Sequence, residues 1–168
     1  GGRPMIRAEG TYGSWNTQRA MVQFQSGRIQ NRYGVAGRFT RMQTDGYRFN
    51  SWAKLWSYYL SGARFTTHHT SRLIFYGGPE QTHLAYEGVT KDYLEGRVTG
   101  NKENDRRFNE FQFPGETDNF FQPHYELHDD WKLSDRVTVN NSLYLFKGDG
   151  YYDQWRQGEN GIEYFPKG

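Results

Sequence analysis

The chain has 168 residues, a formal net charge of +2, 35% hydrophobic residues and no cysteine, with a mean hydropathy of −1.00. So small a net charge supplies no field for nucleic acid. The lack of cysteine excludes a disulfide framework and a thiolate metal site, and no apolar run approaches the roughly 18 residues of a spanning helix. Aromatic residues make up 18%, with Tyr 13, Phe 12 and Trp 5, which argues against disorder. Two architectures fit so polar yet ring-rich a chain: a soluble β-sandwich, or a membrane barrel with aromatic girdles and polar loops.

Period-two alternation, the mark of a strand with two different environments, begins at once. Ile6, Ala8, Gly10 and Tyr12 share one face, with Arg7, Glu9 and Thr11 opposite. Gly13–Thr17 reads as a turn. Gln18–Ser26 alternates again, with Ala20, Val22 and Phe24 against Met21, Gln23 and Gln25. After the polar connection Gly27–Arg32 comes Tyr33–Gln43, with Tyr33, Val35, Gly37 and Phe39 on one face. Asp45–Asn50 reads as a loop, and Leu55–Phe65 as a strand with Trp56, Tyr58 and Leu60 together. Thr66–Ser71 reads as a turn in which His68 and His69 are exposed. Leu73–Tyr76 begins a strand that Gly77-Gly78-Pro79 stops or bends, since proline cannot donate to a ladder.

From Glu80 to Gln122 no period survives. A stretch of this length is uncommon inside a compact domain but ordinary as the outer loop of a membrane barrel, and it has room for a small hairpin of its own. Alternation resumes over Pro123–Leu133, where Tyr125, Leu127 and Trp131 oppose His124, Glu126, His128 and Asp130. Ser134-Asp135-Arg136 is a tight turn, Val137–Lys147 a further strand, and Gly148-Asp149-Gly150 opens a loop. The result is about seven strands near the ~9–11 residues that cross a bilayer when tilted. The loops near Asp45, over 80–122 and after Gly148 lie on one side, and the tight turns near Asn31, His68 and Asp135 on the other. Only Gly13–Thr17 is short on the loop side. This asymmetry favours a barrel over a sandwich.

These segments, taken in order, resemble the TonB-dependent receptors. Gly13-Ser14-Trp15-Asn16-Thr17 is similar to the short first outer loop after their plug, and Ser26–Tyr33 to their first periplasmic turn. Thr44-Asp45-Gly46-Tyr47-Arg48 is similar to a recurrent Ser-Asp-Gly-Tyr-Arg at the second outer loop. Tyr76–Tyr86 and Asn140–Tyr151 resemble the third loop and seventh strand of such receptors from Bacteroidetes-like bacteria. The resemblance covers nearly the whole chain, as the front of a barrel of about 22 strands.

It implies an all-β fold, an antiparallel up-and-down transmembrane β-barrel present in part, with residues 1–168 a fragment without plug, TonB box or later strands. The opening Gly1-Gly2-Arg3-Pro4, with no leader, and the loop-like close Tyr164–Gly168 agree with a fragment. The implied function is uptake of a scarce solute (ferric siderophore, haem, cobalamin or glycan) across the cell outer membrane with TonB-supplied energy. The implied partners are the TonB complex through the plug, outer-membrane lipid and lipopolysaccharide, and a small-molecule or glycan substrate, with no nucleic acid. Two alternatives are a passive porin-like barrel and a soluble β-sandwich carbohydrate-binding module.

Functional residues concentrate on loops held by a rigid scaffold, so the substrate-loop candidates are Tyr47, Arg48, Glu80, His83, Arg106 and Arg107. The cations Arg97, Lys102, Arg106 and Arg107 are the right kind to meet an anionic ligand, although Glu95, Glu103 and Asp105 among them suit a solvated loop. Trp56, Tyr58 and Trp131 read as girdle residues. His124, Glu126, His128 and Asp130 share a face, but ligands spaced along one strand do not converge on a metal, and a polar lumen face needs such residues anyway. No catalytic motif is present: Asp129 and Asp130 point to opposite faces, and no Ser-His-Asp arrangement or phosphate loop appears. The expectation is therefore no enzyme activity, no metal and no cofactor.

Overall fold

The computed structural model describes residues 2–158 and 161–164, with side chains to residue 155; the closing stretch 165–168 lies outside the described residues. The strands are β1 (Met5–Gly13), β2 (Thr17–Gln25), β3 (Tyr33–Thr44), β4 (Ala53–Phe65), β5 (His69–Gly77), β6 (Glu80–His83), β7 (Thr117–Phe121), β8 (His124–Lys132), β9 (Thr138–Phe146) and β10 (Asp149–Tyr152). They form one antiparallel sheet in the order β1-β2-β3-β4-β5-β8-β9, with β6 pairing β4 and β7, and β7 pairing β10. The sheet runs up and down and is open, for no described pairing joins β1 to β9. A separate ladder joins β11 (Trp155–Gly158) to β12 (Gly161–Tyr164). Two short helices, α1 (Lys91–Glu95) and α2 (Lys102–Arg106), lie between β6 and β7. No helix among the described residues is long and apolar enough to cross a membrane, which says nothing of a β-barrel.

Three of the gaps between strands are interruptions within longer strands. Tyr58 faces Gly77 and Leu55 faces Glu80, so three steps along β4 are three steps from β5 into β6. Tyr76 faces His124 and Glu80 faces Phe120, so the partners β8 and β7 keep step too. His124 faces Phe146 and Phe121 faces Asp149 across the third ladder. Pro79, Pro123 and Gly148 interrupt the regular ladders without slipping the register, and the Pro79 carbonyl still accepts from the Trp56 amide at 3.0 Å, so the sheet consists of seven long strands. The segment 80–122 thus contains the hairpin pair β6–β7, and the expected turn Thr66–Ser71 is shorter, since β5 already starts at His69.

Register then decides the faces, because side chains directly opposite each other point the same way. Phe24, Gly37, Leu60, Phe75, Tyr125 and Leu145 form one cross-strand row, and Val35, Gly62, Leu73, Leu127 and Leu143 the next. At Gly37 the rings and methyls of its neighbours close over the empty position: an added Cβ would lie 2.5 Å from Phe24 and 2.9 Å from Leu60. The other face carries Glu9, Arg19, Gln23, Arg38, Thr40, Ser57, Ser61, Arg72, His124, Glu126, His128, Asp130, Asn140 and Ser142.

Among the described residues nothing packs on the apolar face. Substantial contacts between elements run only between ladder neighbours and between the two helices. Ile6, Val22, Val35, Phe39, Leu73, Leu143 and Leu145 are exposed. Among the described residues the buried apolar side chains are Met21, on the polar face, and Leu84 and Phe111, in the long loop. The paired sheets of a sandwich, which would bury such a face between them, are absent among the described elements.

Candidate functional site

The long-loop edge of the sheet carries a folded cap built from 84–116 and from the tips of the first two hairpins. Asn101 starts α2 by accepting from the amides of Glu103 and Asn104, each at 3.1 Å, the usual N-cap geometry. Asp105 is buried and turns its carboxylate back on the preceding loop. It accepts from the Thr99 hydroxyl at 2.6 Å and from the amides of Thr99 and Val98 at 3.1 Å. The Thr99 hydroxyl holds the Asp105 carboxyl below the usual aspartate range; burial pushes the other way, and the two amides reinforce the lowering. Arg106 donates through Nε to the Leu94 carbonyl and so ties α2 to α1. Tyr93 stacks on Phe108 at 4.3 Å, and Arg97 pairs with Asp92 and Glu95.

Two arginines join this cap to the hairpin tips. Arg48 donates to the carbonyls of Phe108 at 2.9 Å, Ala85 at 2.9 Å and Glu87 at 2.6 Å, and to Oδ1 of Asn109 at 3.5 Å. Arg107 lies between two rings, 4.9 Å from Trp15 and 4.5 Å from Phe49, and donates to the Tyr47 carbonyl at 3.0 Å. Trp15 has φ of 59°, unusual for a bulky residue. It occupies a two-residue turn closed from the Thr17 amide to the Ser14 carbonyl, and its ring is held by Arg107 and by Tyr47, edge-on at 5.2 Å. Backbone strain of this kind concentrates where surrounding contacts over-determine it.

The cap thus brings Tyr47, Arg48 and Arg107 together. Tyr47 keeps an exposed ring, while both guanidiniums are engaged with protein groups. His83 is buried beside Trp52, its two ring nitrogens 3.0 Å and 2.9 Å from the carbonyls of Leu84 and Phe113. Glu80 lies apart from them, exposed at the start of β6 and on the polar face with Leu55 and Phe120. The buried Asn109 and Glu116, which also hold the cap, were not singled out by sequence. Asn109 donates to the Leu84 carbonyl, and Glu116 accepts from the Phe113 and Trp155 amides. The one local signal for this segment was Asn101 two residues before Glu103, an N-cap pattern.

On the polar face, Glu126 accepts from the Tyr76 hydroxyl at 2.9 Å and meets His128 Nε2 at 2.8 Å, while His128 Nδ1 lies 2.9 Å from the Ser142 hydroxyl. His124 stacks between Tyr76 and Phe146. No three acidic or imidazole groups converge as metal ligands among the described residues. His69, expected in an exposed turn, is half-buried in β5 and packs against the Trp131 ring, tilted, at 4.6 Å. Its Nε2 meets both Asp129 and the Ser71 hydroxyl at 3.0 Å. Because both partners use the same nitrogen, the ring cannot pass a proton between them as a catalytic triad requires.

No family model, curated protein or solved structure matches the chain.

Proposed function

We propose that this chain is part of the wall of a TonB-dependent outer-membrane receptor, with the cap as its extracellular surface. On this reading the protein takes up a solute with TonB-supplied energy and performs no reaction on it. The observation that carries the reading is the unpartnered apolar face and its limits. On β4 that face runs from Lys54 through Trp56, Tyr58, Leu60 and Gly62 to Arg64. The ten steps from Lys54 to Arg64 at about 3.4 Å each span about 34 Å along the strand, or about 25 Å once tilted by about 40°, the height of the apolar band on a barrel. Rings mark both borders: Tyr12 and Trp56 toward the cap, Tyr33 and Trp131 toward the short turns. Interfacial Trp and Tyr belong at those depths. The opposite face has the polar character of a wet interior, and a closed barrel would leave neither β1 nor β9 unpaired in lipid.

The chain contains no cysteine of its own, so with any cysteine elsewhere in the full protein replaced by serine, single cysteines can be placed without background. In the protein expressed from its own gene, Leu145→Cys should react with a lipid-soluble maleimide and resist a water-soluble one, and Ser142→Cys should do the reverse. A protein that remains in the soluble fraction, or equal aqueous labelling at both sites, would sink the wall reading. Growth on limiting iron or glycan with and without TonB then tests transport; TonB-independent uptake would favour the passive barrel.

A further inference from the structure

We infer that the short-turn edge holds a site for an anionic phospholipid headgroup, formed by Arg28, Arg32 and Arg64. This rests on the wall reading, which places that edge at the inner leaflet of the outer membrane. The connections Ser26–Arg32 and Thr66–His68 carry no carboxylate, yet the three arginines line one cavity of about 560 Å³ together with Asn31, Tyr33 and Phe65. None of the three makes an ion pair among the described residues. Three arginines lining one space, with no acid among its lining residues, make it attractive to an anion, and their planar forks suit phosphate oxygens.

The site is held in shape before any ligand arrives. Gln30 and Asn31 have φ of 48° and 56°, a two-residue turn closed by the Arg32 amide on the Ile29 carbonyl at 2.9 Å. The Arg32 carbonyl accepts from the Phe65 amide, which binds this turn to the end of β4. Arg28 lies 4.5 Å over the Phe65 ring and donates to Asn31 Oδ1 at 3.4 Å.

The surroundings favour a lipid over a soluble anion. Tyr33 and Arg64 oppose each other on the apolar face, and the next pair along the ladder is Val35 and Gly62, with Leu73 beyond. A Cβ at Gly62 would meet nothing within 4 Å, so a shallow notch runs between Val35 and Leu73, directly above Arg64 at the edge of the apolar face. A phosphate at the arginines would lead its acyl chain into that notch. Neither inorganic phosphate nor an acidic peptide needs an apolar groove there.

The test titrates the detergent-extracted protein with dihexanoyl phosphatidylglycerol, dihexanoyl phosphatidylcholine and glycerol phosphate. Phosphatidylglycerol should bind best and weaken with added salt. At about fivefold per arginine, R32Q should lower its affinity about fivefold and R28Q/R32Q/R64Q about a hundredfold. R32Q changes an exposed turn residue and keeps the test open if the triple variant fails to fold. Equal binding of the two lipids overturns the proposal, as does an unchanged affinity in R32Q. Glycerol phosphate binding as tightly as phosphatidylglycerol overturns it in favour of a soluble-anion site. A protein that fractionates with membranes but shows no lipid preference loses this site and keeps the wall reading, whereas a soluble protein loses both.

Discussion

The Arg48 guanidinium gathers the carbonyls of Ala85, Glu87 and Phe108 around one cation, a convergence that water alone does not hold. Replacing it with methionine keeps the stem and removes the donors, leaving partly buried carbonyls without a partner. Arg48→Met should destabilise the cap locally by about 2–3 kcal/mol, read as faster proteolysis within 84–116 while the β1–β4 ladders stay protected. Asp105 makes the same region acid-sensitive. Its folded pKa lies below the ordinary aspartate value, so the bound form releases protons relative to the open chain. Its stabilising contribution is complete above the ordinary value of about 3.9 and is lost as pH falls through the lower folded value. The Val98 and Thr99 amide resonances should shift across that acid range and lose the transition in Asp105→Asn. Neither role was legible in sequence: Arg48 reaches partners 37 to 61 positions away, and an acidic residue between Asn104 and Arg106 looks like a solvated charge.

Whole strands were legible where a long element separates two environments. β1 to β4, β8 and β9 each alternate over nine or more residues. β6 and β7, with four and five residues, and the two five-residue helices are too short to display a period. Close backbone approach also lies outside a sequence pattern. At Gly78 an added Cβ would lie 1.8 Å from the Trp56 carbonyl oxygen, whereas at Gly10 it meets nothing within 4 Å. Gly78→Ala should therefore destabilise the β4–β6 ladder by at least about 2 kcal/mol, seen as rapid hydrogen exchange at Ala53–Leu55, with Gly10→Ala near neutral. Gly37→Val, which must push Phe24 aside, should cost about 1–3 kcal/mol and lower the thermal midpoint of the extracted protein.

For the molecule as a whole, the decisive contrast is between adjacent residues of β9 that are equally open but face opposite ways. Leu145 is 66% exposed and Tyr144 70%. On the wall reading, Leu145→Arg costs about 2–4 kcal/mol in a bilayer, while Tyr144→Arg, turned toward water, costs little; refolding titrations in lipid vesicles measure both. The interruptions at Pro79, Pro123 and Gly148 bear on the same scale. They lie side by side on three neighbouring strands, with the register unbroken on either side, and so form a crease across the sheet. Rungs above the crease are tied to those below by fewer hydrogen bonds than elsewhere, since proline has no amide hydrogen to donate. That seam, and not the continuous β4 beside it, is where the two storeys are most weakly joined.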